Sequence, residues 1–160
     1  MSLFIVSDFE MGIINSIKTV FPNYILKGCY FHYLRSLWRN ANSSGLRKND
    51  FILRTCELIT ALTLLAFIPV DKVLKSFEAL YDFYTNDSLF LKFREFLNYF
   101  KSTWIHGIFP IELWNFSKEI NNFEWFNKTN NCIESFHNVL FCLNEKVIYI
   151  FSYIVFTLLC

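Results

Sequence analysis

Glycine and proline are scarce in this chain, four of one and three of the other in 160 residues. So few breakers leave long stretches uninterrupted, which favours helices and excludes collagen-like and Pro/Gly-rich low-complexity chains. Net charge is nearly missing too, at +1. No overall field selects a polyanionic or polycationic partner, so charge has to be read locally. The cysteines lack a framework: Cys29, Cys56, Cys132, Cys142 and Cys160 are odd in number and widely spaced, and reduced, intracellular thiols are expected. No basic start precedes an apolar run at the N-terminus, so no secretion leader is expected. The sequons at Asn42, Asn86, Asn115 and Asn127 therefore read as coincidences of an asparagine-rich chain. No internal repeat occurs.

What the chain has is apolar mass. Over half of it, 54%, is hydrophobic and twenty residues are phenylalanine, a composition that excludes disorder and suits one domain with a real core. Basic charge gathers in one region, where Lys27, Arg35, Arg39, Arg47, Lys48 and Arg54 face Asp50 alone.

Leu3 to Val6 is a continuous apolar run, the pattern of a strand buried on both faces, and it ends at Ser7 and Asp8. Ile13, Ile14, Ile17, Val20 and Phe21 then fall on one helical face, stopped by Pro22. Tyr24 to Cys29 reads as a second strand. Strand, helix, strand is a crossover unit with parallel strands. Two such strands cannot bury their faces or satisfy their edges alone, so the sequence is expected to begin in the middle of a fold.

Beyond Gly45 the pattern is helical. Phe51 to Phe67 predicts a buried helix ended by Pro69; Asp71 is placed to cap a next one with the stripe Val73, Leu74, Phe77, Leu80, Tyr81, Tyr84. Ser88 is placed to cap a third, striped by Phe93, Phe96, Leu97, Phe100 and Trp104, and Pro110 to Ile120 holds a short fourth. These helices are expected to bundle. Thr129 to Leu143 predicts a last helix that turns Ile133, Phe136, Leu140 and Leu143 inward and brings Asn130, Glu134, His137 and Asn138 together on the opposite face. The tail from Val147 to Cys160 is apolar but shorter than the roughly 20 residues of a membrane helix, so it reads as a core segment.

Several groups are candidates for chemistry, each with a plainer explanation. Asp8, at the carboxyl end of a strand, sits where open α/β folds place ligand and metal contacts. The plainer reading, a helix cap with Glu10 favoured by the helix dipole, has the edge on spacing alone. Cys29 and His32 have half of a zinc spacing, with Cys132 and His137 as candidates for the rest, but a buried Cys at a strand end and an unrelated His is the favoured account. His32, Arg35, Ser36 and Arg39 share a helix face opposite Leu34, Leu37 and Trp38, which suits phosphate contact and equally an ordinary solvated face. Glu134 fits a capping box with Asn131, against which stands its convergence with His137 on an inventory suited to a divalent cation or a phosphate. Trp38, Trp104, Trp114 and Trp125 fall mostly on inward stripes and read as core rather than as base-stacking platforms.

Taken in order, Asp8-Phe9-Glu10, Phe21-Pro22, Gly28-Cys29-Tyr30-Phe31-His32, Leu37-Trp38-Arg39, Gly45-Leu46, Ala61-Leu62, Ala66-Phe67-Ile68-Pro69, Trp114 and Thr129 to His137 resemble the transposase domain of Mutator-like elements. The likeness covers most of the chain up to about Asn138, and the ordered series is more specific than any piece of it. It implies an α/β, mainly helical chain: the C-terminal part of an RNase H-like core, with a short β-α-β unit at residues 1–45 and a helical insertion at 46–127. The helix bearing the catalytic glutamate would occupy 128–146 and an apolar tail 147–160, all in a single partial domain. It further implies that Asp8 and Glu134 are the second and third acids of a DDE set holding two magnesium or manganese ions, with Cys29 and His32 as the family's Cys-x-x-His step beside the site. Arg35 and Arg39 would hold the DNA backbone.

The sequence departs from the family where the first acid is not found and where the tail is apolar rather than polar. The expectation is thus a fragment or decayed copy of a nuclear transposase, inactive alone, with DNA as partner and homo-oligomers allowed for. The alternatives are a non-catalytic DNA-binding or interaction module of the same fold and, more weakly, a membrane-associated helical protein using its tail. Zinc is a minor alternative as cofactor.

Overall fold

The computed structural model describes residues 4–47, 52–86 and 90–118. Strand β1 (Phe4–Ser7), helix α1 (Met11–Val20) and strand β2 (Ile25–Gly28) form the expected crossover unit, and the strands pair in parallel from Phe4↔Ile25 to Ser7↔Gly28. These two strands are the whole sheet among the described residues. Helices α2 (Tyr30–Ser43), α3 (Ile52–Leu64), α4 (Val70–Thr85), α5 (Phe90–Phe100) and the short α6 (Ile111–Trp114) follow, with a 3-10 turn at Leu65–Phe67 and a π turn at Lys101–Ile105. The chain is thus α/β and mainly helical.

Helix α2 ends where glycine is required. Gly45 has φ 73°, Leu46 N–H reaches Ala41 C=O at 2.9 Å and Gly45 N–H reaches Asn42 C=O at 3.0 Å. That pair of bonds is the Schellman closure, accompanied here by burial of both Ala41 and Leu46. Helix α3 is buried along most of its length, from Thr55 to Thr63 apart from Cys56. The predicted stripe of α4 is buried at Val73, Phe77, Leu80 and Tyr84, and that of α5 at Phe93, Phe96, Leu97 and Phe100, continuing to Trp104. Asp71, expected as a cap, instead occupies the first turn of α4; Pro69 holds the cap position and no side chain bonds there. Proline fixes the extended backbone that starts the helix, and an acid one turn in is favoured by the dipole alone. Ser88, the other expected cap, lies outside the described residues.

The core centres on aromatic rings. Phe9 meets Trp104 edge-on at 4.9 Å and Phe109 at 5.2 Å, and Tyr33 stacks on Trp114 at 5.4 Å with 12° between planes. Trp114 Nε1 donates to Trp104 C=O at 3.0 Å. Trp104 and Trp114 are thus core residues, as expected of inward stripes, while Trp125 lies outside the described residues. Helix α1 departs from expectation. Of its predicted face only Ile14 is buried, whereas Ile13 is 40% exposed, Val20 65% and Phe21 45%. A helix can bury only what the layer beneath it covers, and a two-stranded sheet covers a narrow strip.

Candidate functional site

The carboxyl end of the parallel pair is built by the step from Gly28 into α2. Cys29 N–H donates to Ser7 C=O at 2.7 Å and Cys29 then caps α2 through its backbone, its C=O accepting from Tyr33 N–H at 3.0 Å. Asp8 follows the last paired residue of β1, and His32 lies in the first turn of α2. Both therefore sit at the end of the sheet where the strands give way to helices. Gly28 is needed here for space: a Cβ on it would fall 2.2 Å from Phe9 Cζ.

Three polar atoms at this end are buried and lack a hydrogen bond among the described residues: Ser7 Oγ, Asp8 Oδ1 and His32 Nδ1. The finding decides the two readings of Asp8 against the cap. Glu10, not Asp8, holds the cap position of α1, and no side chain bonds to that helix's free N–H groups. A carboxylate oxygen withdrawn from water is costly unless a donor or cation meets it, and among the described residues no donor does.

Arg35 and Arg39 are exposed on α2, on the side away from the buried Tyr33, Leu34 and Leu37; Trp38 is half-buried. The basic region is smaller at the surface than in the sequence. Lys27 is buried and its Nζ donates to Glu112 C=O at 3.0 Å and Asn115 C=O at 2.8 Å. Arg54 pairs with the buried Glu57 at 2.5 Å. Arg35, Arg39 and Arg47 remain exposed.

Among the described residues no group of three or more His, Cys, Asp and Glu gathers to hold a metal ion. Asp8, Cys29 and His32 thus form no such group, and Cys29 with His32 does not complete a zinc site within the described residues. Glu134, Cys132 and His137 lie outside them.

Two polar side chains not expected to be internal tie the fold together. Lys27 was counted as surface charge, although a lone cation inside the apolar stretch Tyr24 to Cys29 was a signal of a buried partner. Asn115 was read as a chance sequon; it is buried, and its Nδ2 donates to Ile68 C=O at 2.8 Å and Leu65 C=O at 3.3 Å. Folded as described, that amide is closed to glycosylation.

Protein-family models, curated proteins and solved structures were each compared with the chain, and none matches it.

Proposed function

We propose that this chain is a piece, or a decayed copy, of a Mutator-like transposase catalytic domain, the C-terminal part of an RNase H-like core carrying a helical insertion. The observation that carries the reading is Asp8 Oδ1, buried at the carboxyl end of β1 with no hydrogen-bond donor among the described residues. A structural cap would bond to α1, whereas a metal ligand needs a free carboxylate oxygen held on a rigid strand end. By the resemblance, Glu134 is its companion. Magnesium or manganese bound by these acids supplies Lewis acidity at a phosphodiester and an activated hydroxyl nucleophile. The chain's own residues do the rest: β1 fixes the Asp8 carboxylate, and the exposed Arg35 and Arg39 hold phosphates with little sequence preference.

Manganese binding tests the assignment directly. Titrated with Mn2+ and followed by electron paramagnetic resonance, the chain is expected to bind the ion and Asp8→Asn to weaken binding at least tenfold; equal binding by both removes Asp8 as a ligand. Fused behind a strand bearing a further aspartate, the chain is expected to nick DNA with manganese, and Asp8→Ala and Glu134→Ala each to abolish nicking. Cleavage that survives both changes removes the catalytic role.

A second reading, a non-catalytic DNA-binding module, is favoured by the exposure of Arg35 and Arg39. It predicts DNA binding indifferent to Asp8→Asn and to manganese. For the membrane alternative, no helix among the described residues is long and apolar enough to cross a bilayer.

A further inference from the structure

At the end of the sheet opposite Asp8, a pocket of about 310 Å³ lies between the start of β2, the last turn of α1 and α6. Its apolar walls are Ile25 and Leu26 on β2 and Pro110 with Leu113 at α6. Its charged groups are Lys18, Lys27 and Lys118 against one acid, Glu112. These residues come from separate stretches of the chain, so no helical or strand period in the sequence places them together. The size is at the low end of ligand pockets, and apolar walls with a few charged groups are the usual make-up of such sites.

The walls are fixed to one another. Lys27 Nζ donates to Glu112 C=O and Asn115 C=O, which fastens α6 to β2, and Leu113 N–H closes on Pro110 C=O at 2.9 Å. A hollow with walls already held loses little ordering entropy when it is filled. Structural roles account for two of the three lysines: Lys27 ties the walls, and a cation in the last turn of α1 suits the helix dipole. They leave Lys118 without a role. Lys18 and Lys118 are both exposed, and neither pairs with an acid among the described residues. Two ammonium groups on one hollow repel each other, and a dianion between them relieves that repulsion. A phosphate monoester carries roughly 1.5 to 2 negative charges at pH 7, which suits two lysines better than a single carboxylate does.

We propose that this pocket binds a small organic phosphate, its apolar ring against Ile25, Leu26, Pro110 and Leu113 and its phosphate between the ammonium groups of Lys18 and Lys118. The site does not rest on the transposase reading, whose described acid lies at the other end of the sheet.

Nuclear magnetic resonance on the full isotope-labelled chain, titrated with phenyl phosphate, tests it. Saturable shifts are expected at the amides of Leu26, Lys27 and Leu113, with a Kd of about 1 mM or tighter. Inorganic phosphate, which lacks the ring, and benzyl alcohol, which lacks the charge, are each expected to bind at least tenfold more weakly. Lys18→Gln with Lys118→Gln is expected to weaken phenyl phosphate binding at least tenfold, with benzyl alcohol binding and the thermal midpoint unchanged, since both side chains are exposed. Absence of saturable shifts at these amides overturns the proposal. So does equal binding of either control, which reduces the pocket to a bare anion site or a bare apolar one, and so does equal binding of phenyl phosphate by the double variant. Shifts confined to α2 around Arg35 and Arg39 also overturn it and assign the phosphate to that helix instead.

Discussion

Gly28 and Phe9 divide one space between them. A Cβ on Gly28 would lie 2.2 Å from Phe9 Cζ, and Phe9 packs against Trp104, Phe109 and Tyr33, which must give way for its ring to move toward them. Gly28→Ala is expected to cost about 1–3 kcal/mol, the usual range for overpacking, read as a lower midpoint in urea with an unchanged slope. Tyr33 is a second residue whose environment dictates a measurable behaviour. It is fully buried and donates to Leu62 C=O at 3.1 Å, and burial pushes its phenol well above the usual value of 10.0, with Tyr30 and Tyr99 adding to the shift. Burial raises Tyr84 in the same direction. The unfolded chain therefore releases protons at lower pH than the folded one, so these tyrosines' contribution is intact below about pH 10 and is lost as pH rises beyond it. Thermal melts across pH 8 to 11 should show a falling midpoint above about pH 10. Tyr33→Phe should lower the midpoint at pH 8 by the equivalent of about 1 kcal/mol and flatten the alkaline fall.

At the scale of elements, Lys27 ties β2 to α6. Its Nζ spans 85 and 88 positions of sequence to reach two carbonyls, and Asn115 continues the tie to the turn at Leu65 and Ile68. Lys27→Met keeps the length of the stem and removes the donor, leaving two carbonyls without it. The expected cost is about 1.5–3 kcal/mol, the range of hydrogen bonds to a charged group. Hydrogen exchange should rise first around α6 and β2 and only later in α4, because loss of the tie loosens the sheet flank before the bundle. Equal acceleration in all elements would mean that Lys27 supports the fold globally. The helices themselves were legible because their signal is local. The stripes of α4 and α5 recur at helical spacing and are buried as that spacing requires. The face of α1 was legible as a pattern but not in its fate, since whether Val20 and Phe21 are covered depends on how wide a sheet lies beneath them.

For the whole molecule, the surface charge left after folding sets what it can attract. Lys27 is buried and Arg54 is half-buried and paired with Glu57, which leaves Arg35, Arg39 and Arg47 as the exposed cations of the basic region among the described residues. If α2 presents Arg35 and Arg39 to a phosphate backbone, affinity for double-stranded DNA should fall steeply with salt. The double change Arg35→Ala with Arg39→Ala should shallow the slope of log affinity against log salt by about 2. Fluorescence anisotropy at several salt concentrations reads the slope; an unaltered slope removes these arginines from the interface.

The sequence by itself determined the crossover unit, the helical stripes and the placement of an acid at a strand end. Each is a consequence of period, of backbone allowance or of neighbours a few positions apart. Only the tertiary structure decided whether Asp8 caps a helix, where Lys27 spends its charge, and that Asn115 is an internal tie. Those outcomes depend on which polar groups arrive from distant parts of the chain. A buried donor or acceptor must be matched in space, and a single sequence carries no record of that match until the elements pack.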